Sequence, residues 1–296
     1  MGKWSSRLAG AITGFRPGPF GRKASSGRSM SAQPLGYALD AFTASDIGCV
    51  RSSNQDSLAF VSPKAPEVRR RLGVLAVVAD GMGGHNGGEV ASAMAVDTIC
   101  RHYFATPGDD PGQGLALALR AANSAIFQAA EADSELDGMG TTVTAMVLVG
   151  EGVLFAHVGD SRLYRCFAGQ STQLTEDDSL VADMVRKRLI ASEQARHHPA
   201  RNVLLRSLGT QAKLSIVTQR CDPLRIGDRF VLCSDGLWDT VEPQEIAGIA
   251  ASLDAERACR QMIELARDRG GSDNISVIVI AIHAAEGAAE PLPHGL

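Results

Sequence analysis

Several absences narrow the reading of this chain. The six cysteines, Cys49, Cys100, Cys166, Cys221, Cys233 and Cys259, contain no CxxC pair, which removes the usual basis for a zinc ribbon or a thioredoxin-like redox site. Most of them sit in apolar runs, the setting of buried free thiols in a reducing compartment. No apolar stretch approaches the ~20 residues of a spanning helix, so no integral membrane segment is expected. The first residues hold no continuous hydrophobic region, because Gly10, Thr13, Gly14 and Pro17 interrupt it. A cytoplasmic protein is the expectation. Charge of one sign is also lacking. The 29 Lys and Arg against 33 Asp and Glu leave a net charge of -4, which argues against a general nucleic-acid binder. No internal repeat is visible. Gly83 to Gly88 has Walker-like spacing, but Glu89 and Val90 stand where Lys and Ser or Thr belong. A GxGxxG reading from Gly81 fails at Asn86.

What is present is unevenly placed. Residues 1–30 contain Lys3, Arg7, Arg16, Arg22, Lys23 and Arg28 and no acid, so the remainder carries about ten excess negative charges (-4 minus +6), which fits a body that holds cations. Residues 1–34 are rich in Gly, Ser, Arg and Pro and read as a basic, disordered arm. Met1 to Ser6 matches the loose myristoylation pattern, a match that chance in a basic tail explains. With 296 residues and 45% apolar content, the chain suffices for a sizeable core. One folded domain is expected over 35–284, followed by a tail at 285–296.

Periodicity places the elements. Ser57–Val61 is a short strand and Gly73–Ala79 a strand buried on both faces. Helical spacing covers Gly88–Phe104 and Leu115–Ala132. Strands follow at Thr141–Val149, Val153–Val158 and Arg162–Phe167, the first two joined as a hairpin through Gly150-Glu151-Gly152. Residues 170–213 are polar and partly helical. Leu214–Thr218 and Arg229–Cys233 read as strands. One helix then starts near Pro243. Another starts after the cap Asp254 and ends at Gly270-Gly271, and Ile275–Ile282 is the last strand. This order suits an α+β layered domain with antiparallel sheets packed together and helices outside.

The chemistry lies in the aspartates at strand ends. The run LGVLAVVADGMGGH (72–85) ends an apolar strand in Asp80 beside a glycine turn, and VLCSDG does the same at Asp235. The glycines remove side chains where a ligand needs room. Asp56, Asp160 and Asp273 stand at similar boundaries, and Asp239 lies four residues beyond Asp235. A single aspartate at a strand end is most often a turn former or helix cap. Asp80 and Asp235 together are harder to explain so, because burying unpaired carboxylates is costly. Mg2+ and Mn2+ prefer oxygen ligands, and few histidines lie near these turns, which disfavours zinc. Arg51, five residues before Asp56, has the chemistry to bind a phosphate oxygen.

The ordered series RSSNQD (51–56), DGMGGHNGGE (80–89), GTT (140–142), VGDSR (158–162), SDGLWD (234–239) and GSDN (271–274) resembles that of the metal-dependent serine/threonine protein phosphatases of type 2C. The DGMGGH form is similar to the bacterial branch. The resemblance covers roughly residues 38–283. It implies a four-layer α-β-β-α sandwich with two antiparallel sheets, helices outside and a flap subdomain at about 170–213. It further implies two Mn2+ or Mg2+ ions. Asp56 and Asp80 would contribute to both ions, with Asp80 bridging; the Gly81 carbonyl would complete one, and Asp235 and Asp273 would ligate the other. Asp160 and Asp239 match positions of a third, weaker ion, and Arg51 matches the phosphate-binding arginine.

The implied activity is hydrolysis of phosphoserine and phosphothreonine on proteins by a metal-activated water, reversing a Hanks-type Ser/Thr kinase, and the expected state is a monomer. The series departs from some animal relatives at Met82, where they carry a proton-donating histidine; here the histidine comes later, at His85. It departs from bacterial relatives at Asp178, often histidine, and at Arg188, often glycine. A cysteine-dependent phosphatase is excluded, since none of the six cysteines has an arginine six positions on.

Overall fold

The computed structural model describes residues 36–285, apart from 84–86, 106–107, 109 and 222. The basic arm at 1–34, His85 and the tail beyond 285 lie outside the described residues. In chain order the elements begin with β1 (Tyr37–Asp46), β2 (Asp56–Val61), α1 (Pro66–Leu72), β3 (Val74–Met82), α2 (Gly87–Ala105) and α3 (Pro111–Ala132). Next come β4 (Gly140–Thr141), β5 (Val143–Val149), β6 (Gly152–Val158), β7 (Arg162–Phe167), β8 (Gln170–Gln173), α4 (Leu180–Arg186) and α5 (Ser192–Ala195). The chain closes with β9 (Gln219–Cys221), β10 (Arg229–Cys233), α6 (Asp235–Trp238), α7 (Pro243–Ser252), α8 (Ala255–Asp268) and β11 (Ile275–Ala284).

Two antiparallel sheets result. One has the order β1-β11-β10-β7-β8, and the other β2-β3-β5-β6-β9 with β4 attached to β3. The period-2 alternation of strand side chains builds three apolar layers. Val74, Ala76 and Val78 of β3 meet Phe230 and Leu232 of β10 and Ile278, Ile280 and Ile282 of β11 between the sheets. The opposite face of β3, Leu75, Val77 and Ala79, packs on Ala91, Ala95 and Ile99 of α2 and on Leu115, Leu119 and Ala122 of α3. Val231, Cys233, Val277 and Val279 pack on Ile246 and Ala250 of α7 and Cys259 and Met262 of α8. This is the expected four-layer α-β-β-α sandwich.

Local chemistry sets the helix ends. Asp110 caps α3, accepting from the Gly112 and Gln113 amides, and Pro111 takes the first helical position. Pro243 opens α7 and Asp254 caps α8 through the Arg257 amide. The expected strand at Leu214–Thr218 does not form; the third-last strand is Gln219–Cys221. The segment is tied to α3 instead, with Arg120 donating to the Ile216 carbonyl and the Thr218 hydroxyl donating to the Gly112 carbonyl. β1, α1, β8 and α6 are elements beyond those expected, while α4 and α5 fall in the stretch expected to be partly helical. Residues 174–218, between β8 and β9, leave the sheets and carry only α4 and α5. No helix among the described residues is long and apolar enough to cross a membrane.

The inward rows change character at one end of the sandwich. Phe60 and Leu58 of β2 lead to Asp56, and Val74, Ala76 and Val78 of β3 lead to Asp80. Phe230 and Leu232 lead to Ser234, Ile280 and Ile278 to Ser276, and Leu39 and Ala41 to Ser45. The site is built at that polar end.

Candidate metal centre

The antiparallel register of β2 and β3 sets Asp56 directly opposite Asp80. Directly opposed side chains share a face with Cβ atoms roughly 5 Å apart, a placement that is destabilising for like charges. Asp235 opens α6 just after β10 in the other sheet and lies close enough to Asp80 for their charges to interact. Ser234 bridges the sheets, donating from Oγ to Asp56 Oδ2 at 2.7 Å. Its own Oγ accepts from the Ser276 amide at 3.0 Å, and the Ser276 hydroxyl meets that of Ser45 at 2.8 Å.

Burial raises Asp56, Asp80, Asp160 and Asp235, and mutual repulsion adds to the effect. Burial pushes Asp56 up to about 7 against the hydroxyls of Ser234 and Ser276, with Asp235 and Asp273 adding to the rise. Burial lifts Asp80 well above the carboxylate range, and Asp56, Asp235, Asp160 and Asp273 reinforce it. Asp235 is pushed to about 6 by burial and then by Asp273, and Asp160 to about 8 by burial and then by Asp235 and Asp177.

Asp56 Oδ1 and Asp235 Oδ1 are buried with no hydrogen-bond partner among the described residues. Leaving a buried acceptor unpaired costs about 1–3 kcal/mol. Excess negative charge and orphaned oxygens together fit a hard divalent cation. Among the described residues, no three Asp, Glu, His or Cys side chains form a ready-made cage for an ion.

The threonines of the GTT motif lock the strand end. Thr142 Oγ1 accepts from the Asp80 amide at 3.0 Å, while the Thr142 amide and the Thr141 hydroxyl both donate to the Asp80 carbonyl, each at 2.8 Å. Thr142 Oγ1 also meets Ser161 Oγ of the VGDSR turn at 2.5 Å. Asn274 holds the loop before β2: its Nδ2 donates to the Ile47 and Ser53 carbonyls at 2.9 and 3.0 Å, and its Oδ1 accepts from the Gln55 amide at 2.8 Å. That loop carries Arg51, whose Nη2 donates to Asp273 Oδ2 at 2.6 Å.

The glycines after Asp80 and Asp235 sit against neighbouring backbone. A Cβ on Gly81 would stand 2.0 Å from the Gly88 carbonyl oxygen and 2.7 Å from that of Gln55. A Cβ on Gly236 would stand 2.1 Å from the Asn274 carbonyl oxygen. These two glycines make room for neighbouring backbone. Met82 pairs with Gly140 across β3 and β4, and its thioether has no proton to give.

Asp160 is buried, and its carbonyl accepts from Trp238 Nε1 at 2.9 Å. Asp239 follows α6 and pairs with Arg201 at 3.3 Å. Both border the cluster, since Asp160 raises Asp80 and Asp239 raises Asp235. A cleft of about 390 Å3 runs from Asp235, Trp238 and Asp239 beneath α4 and α5. His197 and His198 form a loop turn, with His198 Nδ1 accepting from the Ala200 amide. Sequence reasoning missed Ser234, Ser276 and Asn274; continuing the inward alternation past the apolar run would have found the two serines.

Residues 50–278 match the protein phosphatase 2C family model, and the chain belongs to that family. It is 38% identical over 235 residues to the serine/threonine protein phosphatase PstP of Mycobacterium tuberculosis, covering 79% of this chain but 43% of that relative's length. The solved catalytic domain of PstP in complex with two manganese ions has a TM-score of 0.72 and 35% identity, over 83% of this chain and 98% of that one. The serine/threonine phosphatase Stp1 of Staphylococcus aureus has a TM-score of 0.76 and 30% identity, over 86% and 99%.

Proposed function

We propose that this chain is a protein-serine/threonine phosphatase that hydrolyses phosphoserine and phosphothreonine using two Mn2+ or Mg2+ ions. The observation that carries the reading is the opposed pair Asp56 and Asp80, raised together with Asp235, with one buried oxygen each of Asp56 and Asp235 left orphaned. Asp56, Asp80, Asp235, Asp273 and the Gly81 carbonyl would hold the two ions. Asp160 and Asp239 would hold a third.

When bound, such ions make a water acidic enough to act as the nucleophile and neutralise phosphoryl oxygens. The chain's own residues supply the rest. Ser234 pins Asp56 through Oδ2 and leaves Oδ1 free. Thr141 and Thr142 fix the Asp80 backbone. Arg51, half-exposed at the rim, exchanges its contact with Asp273 for the phosphoryl oxygens, a bidentate role suited to guanidinium. Met82 supplies no proton to the leaving alkoxide. The PstP domain bound to two manganese ions supports the cation choice.

The substrates under this reading are phosphorylated proteins, among them a Hanks-type Ser/Thr kinase. The buried thiols Cys100, Cys166, Cys233 and Cys259 suit a cytoplasmic location and a metal-based rather than thiol-based mechanism. The flap is the excursion 174–218 bearing α4 and α5, which overlaps most of the expected 170–213. The test is turnover of p-nitrophenyl phosphate and a phosphothreonine peptide with Mn2+, lost on chelation and restored by readdition. Mn2+ binding to wild type and to Asp80→Asn is measured in parallel by calorimetry. Absence of both turnover and binding would overturn the reading.

A further inference from the structure

The VGDSR turn contributes more than Asp160. Arg162 opens β7, and its guanidinium meets three groups at once. Nε and Nη2 donate to the two oxygens of Asp177 at 3.0 and 2.7 Å, Nη1 donates to the Tyr164 hydroxyl at 3.1 Å, and the plane lies 3.5 Å from the centroid of the Trp238 ring. Arg162 and Asp177 are only 15% and 10% exposed at the side chain, so this pair is shielded from solvent, unlike the exposed pairs of Arg196 and Arg201. Trp238 belongs to α6, the helix that Asp235 opens, and its indole donates to the Asp160 carbonyl. Asp177 lies where the chain leaves β8 for the flap. One guanidinium thus joins the flap root, the α6 helix and the Asp160 turn.

We propose that Arg162 is a positioning residue that sets the flap relative to the carboxylate cluster and so governs how a protein substrate is presented. The inference rests on the phosphatase reading above. Lysine cannot replace Arg162, because an ammonium offers neither the two-pronged bond to Asp177 nor a planar face for the indole. The neighbouring Asp178 follows the same plan: it accepts from Arg206 Nη1 at 3.1 Å and from the Gly159 amide at 3.2 Å. That contact accounts for an aspartate at this position, and the two adjacent carboxylates grip the VGDSR turn from both sides.

The chain's two tryptophans are Trp4 and Trp238, so Trp4→Phe leaves Trp238 as the sole emitter. In that background Arg162→Lys and Asp177→Asn are compared singly and together. Acrylamide quenching of Trp238 is expected to rise about two-fold in each variant as the cationic cover is lost. Phosphopeptide kcat/KM is expected to fall about ten-fold, chiefly through KM, while p-nitrophenyl phosphate turnover drops no more than about three-fold. The double variant should be no worse than either single one, since the pair acts as a unit. Unchanged quenching with unchanged KM would overturn the proposal, and so would an equal loss of kcat on both substrates or multiplying effects in the double variant. If the parent protein turns over neither substrate, the activity reading fails by itself. Quenching and its non-additivity still decide whether Arg162 and Asp177 hold Trp238.

Discussion

Asp56 and Asp80 stand directly opposite each other on neighbouring antiparallel strands, between the two sheets, with burial raising both carboxyls. Without metal this pair stores repulsion, which the cations of the proposed function would relieve.

Removing one of these charges should therefore have opposite effects on stability and function. Asp80→Asn is expected to make the metal-free protein more stable by up to about 1 kcal/mol, the scale of an opposed like-charge pair. The same change should lower kcat by at least about a hundred-fold and abolish the rise in Tm on adding Mn2+. Thermal melts with and without Mn2+ check this. A destabilised metal-free variant would assign Asp80 a structural role instead.

The raised carboxyls also set a pH dependence. Unfolded aspartates titrate near their ordinary value, about 3.9, whereas Asp235, Asp56 and Asp160 are pushed to about 6, 7 and 8 in the folded chain. Between about pH 4 and pH 8 the folded state holds more protons than the unfolded one, so stability of the metal-free protein falls as pH rises through that window. Ions bind the deprotonated ligands, so the gain in Tm from saturating Mn2+ should grow from pH 5.5 to pH 8. Melting at several pH values, with EDTA or with Mn2+, would show the two slopes. A metal-free Tm that climbs with pH would contradict it.

Three glycine-to-alanine changes should separate packing from propensity. Gly81→Ala and Gly236→Ala place a methyl 2.0 and 2.1 Å from backbone oxygens, and should each destabilise by about 1–3 kcal/mol or more. Gly248 lies within α7 with no atom within 4 Å of the new methyl, and Gly248→Ala should stabilise by about 0.5–1 kcal/mol. Urea denaturation at fixed pH with EDTA ranks the three.

Asn274 is the hub of the loop that carries Arg51. Asn274→Ala leaves the Ile47 and Ser53 carbonyls without their Nδ2 donor and the Gln55 amide without its acceptor, and should cost about 1–3 kcal/mol. With Arg51 less fixed, kcat/KM should fall about ten-fold or more. Arg51→Ala should reduce kcat/KM comparably while keeping stability within about 0.5 kcal/mol, because Arg51 is exposed. Equal destabilisation by the two variants would refute this division of labour.

Much of the molecule was legible in the chain alone. Strand β10 and the starts of α7 and α8 follow from apolar period, Pro243 and Asp254, because these are local effects of side-chain chemistry on backbone geometry. Asp80 and Asp235 were visible as carboxylates ending apolar runs, and the six motifs as an ordered series. Leu214–Thr218 was misread because its apolar alternation suits a strand, while its Ile216 carbonyl and Thr218 hydroxyl are claimed by α3. Pairing was beyond reach, since the register that opposes Asp56 to Asp80 depends on which strands meet, and the bridge from Ser234 to Asp56 spans two sheets. Only the folded chain could show that Gly81 and Gly236 serve close backbone approach, or that Arg162 clasps Asp177 over Trp238. Composition and period determined the layers; the cation-demanding arrangement arose when tertiary packing brought distant strand ends into one low-dielectric space.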